Sequence, residues 1–120
     1  MELTEKQSDL LKRRNLVVLA TASLDNQPRA VIVEVNKAEG DRLIITDNEM
    51  GETLNNLIEN NKVFILAFEE SYNYCLKISG TARYCQNGEQ FDFVKTLKAN
   101  KERKPKGVVV IMVDNVIEFN

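Results

Sequence analysis

The sequence predicts an α+β domain in which antiparallel strands dominate and close into a small barrel of six to seven strands. One helix precedes them and two more are set between strands. Three observations carry this. Apolar, β-branched stretches recur at short intervals: LVVLATAS, RAVIVEVN, RLIIT, KVFILAF, the alternating run from Tyr74 to Tyr84, and GVVVIMV followed by VIEF. The first three are joined by tight turns at Asp25-Asn26-Gln27-Pro28 and Glu39-Gly40-Asp41, and no parallel strand–helix–strand repeat occurs. Gly80 stands at the centre of the longest alternating run, where a barrel strand bends or bulges.

Residues 4–14 read as an amphipathic helix. Thr4 and Gln7 have capping-box spacing, and Leu3, Gln7, Leu10, Leu11 and Arg14 share one stripe. In RAVIVEVN, Val31, Val33 and Val35 take one face, and Ala30, Ile32, Glu34 and Asn36 take the other. After RLIIT the period changes. Met50, Leu54, Leu57 and Ile58 recur as one helical face, so Gly51 to Asn60 is a helix stopped by Asn60-Asn61. KVFILAF is apolar throughout and is expected to be buried on both sides. Asn87-Gly88 is a turn into a helix from Glu89 to Ala99, with Phe91, Val94 and Leu97 as its spine. A charged loop, NKERKPK, then leads into two closing strands.

With 120 residues the chain is expected to form one domain, residues 1–120. Its 16 basic and 18 acidic side chains nearly balance, which gives no overall drive toward nucleic acid or an anionic membrane. No apolar run approaches the roughly 20 residues of a membrane helix. MELTEKQSDLLKRR has no secretory core, so a cytoplasmic location is expected. Histidine is absent, which excludes Ser-His-Asp and Cys-His catalysis and histidine-based metal ligation. Cys75 and Cys85 lie ten residues apart on one strand, roughly 33 Å at about 3.3 Å per residue, too far for a disulfide. Any redox chemistry must therefore come from a bound organic cofactor.

Four stretches, taken in order, resemble the FMN-binding split barrels, the superfamily of pyridoxamine phosphate oxidase and the small bacterial FMN-binding proteins. They are LATASLDNQPRAVIVEV, RLIITDNEMGETLNNLIENNKVFILAF, LKISGTARYCQNGEQFDFV and KGVVVIMVDNVIEF. The resemblance implies a split barrel, FMN bound at a homodimer interface, and an oxidoreductase or electron-transfer role. It places the cofactor against Arg29, Val31, Ile32 and Val33 on the second strand. It adds Thr46, Met50, Gly51, Glu52 and Thr53 in the loop that opens the central helix. Homodimerisation is also expected because KVFILAF and GVVVIMV are so apolar for a small chain.

The resemblance breaks at the phosphate. A flavin phosphate carries about two negative charges near neutral pH and needs charge-assisted donors. The family commonly offers lysine or arginine where this chain has Glu52, and polar or basic side chains where it has Ile32, Val33 and Glu34. What remains is the Thr53 hydroxyl, Arg29, the backbone N–H groups of Gly51, Glu52 and Thr53, and a basic loop at Lys101, Arg103, Lys104 and Lys106. Each has a structural reading too. Thr53 and Glu52 suit a first helical turn, and Arg29 suits a solvated strand end. Two alternatives therefore stand beside FMN binding: a split barrel that takes another small molecule, and a non-catalytic module that docks through the basic loop.

Overall fold

The computed structural model describes residues 1–100 and 102–119, the side chain of Ala99 excepted. Six antiparallel strands close into a barrel: β1 (Leu16–Ala22), β2 (Pro28–Glu39), β3 (Arg42–Asp47), β4 (Lys62–Phe68), β5 (Cys75–Cys85) and β6 (Gly107–Phe119). Around the barrel they run β1-β2-β3-β6-β5-β4, and β4 closes on β1. Helices α1 (Glu5–Arg13), α2 (Glu52–Glu59) and α3 (Glu89–Thr96) complete the α+β fold, with a short 3₁₀ turn at Lys98–Asn100. The closing pair expected from GVVVIMV and VIEF is instead one continuous strand. DNV does not turn; it carries a bulge, with Ser79 opposite Asn115, Gly80 opposite Val113, and Asp114 as the extra residue.

Alternation along each strand fills the barrel. Leu19, Leu43, Ile45, Ile65, Leu76, Ile78, Val109 and Ile111 point inward and are buried. Helix α1 adds Leu10 and Leu11 to the same core, and Leu3, just before the helix, joins them. Its start is fixed by the expected capping box: Gln7 N–H donates to Thr4 Oγ1 (3.2 Å) and Thr4 N–H to Gln7 Oε1 (2.9 Å).

Two burial expectations are corrected. KVFILAF alternates: Val63, Ile65 and Ala67 are inside, while Phe64 is exposed on the outer face. The strands covered on both sides are β3 and β6. Val94 of α3 packs over Ile44, Val108 and Val110 outside the barrel. Helix α2 is also rotated from its expected face. Thr53, Asn56 and Leu57 are buried and Ile58 is exposed, because Asn56 turns inward to donate to Thr21 Oγ1 (3.2 Å). Helix α3 ends at Thr96, short of Ala99, and its spine is half-buried at Phe91 and Leu97. No described helix is long and apolar enough to cross a membrane.

A split in the barrel opens along β2. Pro28 to Glu34 pair only with β1, and the pairing with β3 begins at Val35. There Val35 faces Ile45 and Lys37 faces Ile44, so Asn36 is the extra residue of a bulge. The bulge bends β2 away from β3 and re-aims Asn36 into the gap.

Candidate functional site

The gap is a cleft of about 400 Å³. One wall is the free half of β2, with Val31, Ile32 and Val33, joined by Leu16 of β1. The floor and far wall come from the loop between β3 and α2, with Thr46, Asn48, Glu49, Met50 and Thr53. Asn36, Asn100 and Arg103 complete it, and Glu34 stands at the rim. An apolar wall thus faces a polar one, the usual composition of a small-molecule site.

Six of the nine cofactor positions drawn from the resemblance line this cleft: Val31, Ile32, Val33, Thr46, Met50 and Thr53. Arg29, Gly51 and Glu52 do not line it. Arg29 and Glu52 are ion-paired with each other on the exposed edge. Gly51 adopts φ +58°, a left-handed conformation that suits glycine, and precedes α2. The sequence reading missed the asparagines at positions 36, 48 and 100. They carry neither charge nor periodicity, and a bulge and a 3₁₀ turn gather them. In the basic loop, Lys101 lies outside the described residues. Arg103 joins the cleft, and the Lys106 ammonium lies 3.9 Å from Glu49.

The loop is anchored by Asp47, which is 1% exposed. Its Oδ2 accepts from the Tyr84 hydroxyl (2.6 Å) and its Oδ1 from Met50 N–H (3.0 Å). Its carbonyl accepts from Lys106 N–H (2.8 Å). Burial, then donation to Asp47, pushes the Tyr84 phenol above its ordinary value of 10. Tyr84 therefore stays protonated and is a support for the cleft rather than a part of its lining.

The cleft suits a flavin in part. A planar ring has an apolar seat in Leu16, Val31, Val33 and Met50, and amide partners opposite. The phosphate of FMN finds few donors. The Met50 amide is taken by Asp47, that of Thr53 by the Met50 carbonyl (3.2 Å), and that of Leu54 by the Gly51 carbonyl (3.1 Å), which leaves the Gly51 and Glu52 amides without an acceptor among the described residues. Glu34 and Glu49 outnumber Arg103 along the described lining. Among the described residues, no three His, Cys, Asp or Glu side chains group to hold a metal.

Barrel, split and cleft together define a split barrel of the flavin-binding type. The chain belongs to the pyridoxamine 5'-phosphate oxidase family, whose model matches residues 3–120. It is 35% identical to an uncharacterised protein of Methanocaldococcus jannaschii, over 97% of this chain and 80% of that one. Among solved structures, HupZ of Group A Streptococcus superposes with a TM-score of 0.85 at 24% identity, covering 97% of this chain and 93% of that one. An FMN-binding protein from Syntrophomonas wolfei gives 0.79 at 14% identity, covering 97% and 85%. An F420 reductase gives 0.76 at 16% identity, covering 96% and 98%. At these identities the structural likeness speaks for the fold.

Proposed function

We propose that the cleft binds a flavin-type ring, with FMN as the family's reference ligand, and that the protein is an oxidoreductase or electron carrier. The observation that supports this most is the coincidence of the cleft with six of the expected cofactor positions, in a chain that belongs to this family. When bound, the ring supplies hydride or electron transfer. The chain's own contribution is positional. Val31, Val33 and Met50 flank the ring and exclude water, and the asparagine wall orients its polar edge. No side chain of the cleft is assigned as a general base. The open side, where Ile32 is 72% exposed, is left for a substrate or for a second copy of the chain, and a homodimer is part of this reading.

The test is the visible spectrum of the purified protein before and after FMN is added and the excess removed by gel filtration. A retained flavin band near one per subunit is expected. A protein that neither carries nor retains a flavin would overturn the reading.

A further inference from the structure

Along the described lining, Arg103 is the one cation, and no carboxylate among the described residues pairs with it. The acids around the cleft are engaged elsewhere. Glu34 accepts from Asn15 Nδ2 (2.9 Å) at the rim, Glu49 lies 3.9 Å from the Lys106 ammonium, and Glu52 holds Arg29. A guanidinium left over beside a small-molecule cleft suits an oxyanion that takes two of its N–H groups.

Arg103 is held at this end of the cleft from both sides. Three residues before it, Asn100 is buried. Asn100 Nδ2 donates to Thr46 Oγ1 (3.0 Å) and to the Val94 carbonyl (2.9 Å), and Oδ1 accepts from Asn48 Nδ2 (3.2 Å). The Asn100 carbonyl accepts from Arg103 N–H (3.2 Å). Three residues after Arg103, Lys106 N–H donates to the Asp47 carbonyl (2.8 Å). Asp47 Oδ1 also holds Met50 N–H, three residues before Thr53. One buried carboxylate residue thus ties the loop of Arg103 to the start of α2.

The start of α2 offers the matching donors. Thr53 is 4% exposed and lines the cleft, yet its hydroxyl has no partner among the described residues. It is not sealed in, since Asn48 Oδ1 alone among the described side-chain atoms is both unpartnered and fully enclosed. A buried hydroxyl without a partner is costly, and native structures retain one with a reason. The Gly51 and Glu52 N–H groups have no acceptor among the described residues either, and they stand at the positive end of the helix.

Building on the flavin reading, we infer that Arg103 recognises the anionic arm of the ring ligand, a phosphate monoester, and takes the role of the basic side chain that the helix-opening loop lacks at Glu52. The Thr53 hydroxyl and the Gly51 and Glu52 amides complete the contact. The cation that selects a phosphorylated ligand thus comes from the loop before β6, not from the loop before α2.

The test is titration of the parent and of Arg103→Gln with FMN and with riboflavin, which lacks the phosphate, by calorimetry and flavin fluorescence. The parent should bind FMN at least about tenfold more tightly than riboflavin, and raising salt to about 0.5 M should shrink that preference. Arg103→Gln should weaken FMN by about tenfold or more and leave riboflavin within about twofold of the parent. Riboflavin reports on the intact cleft, so a folding defect shows as loss of both ligands, and the salt dependence of the parent then decides. Equal binding of FMN and riboflavin by the parent, a preference that salt does not move, or one that survives in Arg103→Gln would overturn the inference, while the flavin reading survived. No binding of either flavin would overturn both the inference and the function beneath it.

Discussion

Tyr84 and Tyr74 hold the barrel's most telling single contacts. Tyr84 donates to buried Asp47, and Gly107 must lack a side chain because a Cβ there would run into the Tyr84 ring. Tyr74 donates to Glu118 Oε1 (3.0 Å), which also accepts from Gln7 Nε2 (2.8 Å), so one carboxylate joins α1, β6 and the residue before β5. Burial, then this bond, pushes the Tyr74 phenol up to about 12 from an ordinary 10. Both phenols are thus harder to ionise folded than unfolded. Above pH 10 the unfolded chain releases phenolic protons that the folded chain keeps, so it binds fewer protons and stability falls as pH rises. The stability tied to these protons is complete below pH 10 and is lost through about pH 12. Urea midpoints should be level from pH 8 to 9.5 and decline beyond it. The Tyr74→Phe, Tyr84→Phe double variant should lose most of that decline, and an unchanged slope would refute the assignment. At this scale the sequence showed what has a local signal. The Thr4–Gln7 capping box was readable because both partners lie within one turn. Asn36, Asn48 and Asn100 were not, because their pairing spans up to 54 residues and depends on a bulge that no spacing announces.

Strands were legible where one face alone is buried, and least legible where a helix covers the other. The alternation from Tyr74 to Tyr84 placed β5 within a residue of its observed Cys75–Cys85. KVFILAF and GVVVIMV look alike as strings, yet only the second is covered outside, by α3. That difference is tertiary. Gly80 was read as a bend, and the structure supplies the cause. A Cβ at Gly80 would lie 2.6 Å from Ile111 Cγ2 and 2.9 Å from the Met112 carbonyl oxygen. The second neighbour is backbone and cannot rotate away, and the register shift sits at the same point. Gly80→Ala should therefore destabilise the barrel by about 1–3 kcal/mol, lowering the melting midpoint by about 4 °C for each kcal/mol in a domain of this size. A midpoint within a degree of the parent would mean that β5 and β6 separate freely, against the packing described.

The whole molecule leaves one side of its barrel uncovered, and that side adjoins the cleft. The argument for a dimer from two apolar strands is halved, because α3 of the same chain covers the outside of β6 at Val108 and Val110. What remains is better defined. Cross-strand pairing sets Ile32 beside Val18, Val18 beside Leu66, Leu66 beside Lys77 and Lys77 beside Ile117, one row across five strands of the outer face. Leu16 is 62% exposed at the cleft end of this face and Ile117 50% exposed at the other. Phe64 lies beside the row, next to Ala20. A contiguous apolar patch of this kind marks an interaction surface. Along the same edge, residues 28–34 of β2 have no strand partner on the β3 side, a position where a second chain satisfies backbone groups as well as apolar area. A second copy seated on this row would cover Leu16 and Ile32 and close the cleft, and assembly and ligand binding would then be coupled. Leu66→Glu puts a charge at the centre of the row without touching the barrel interior. The parent should run as a dimer by light scattering at micromolar concentration. The variant should run as a folded monomer by circular dichroism and scattering, and bind flavin at least about tenfold more weakly, a loss of about 1.4 kcal/mol. A parent that is monomeric at that concentration would remove the dimer. A monomeric variant that bound flavin as well as the parent would show instead that one chain completes the site alone.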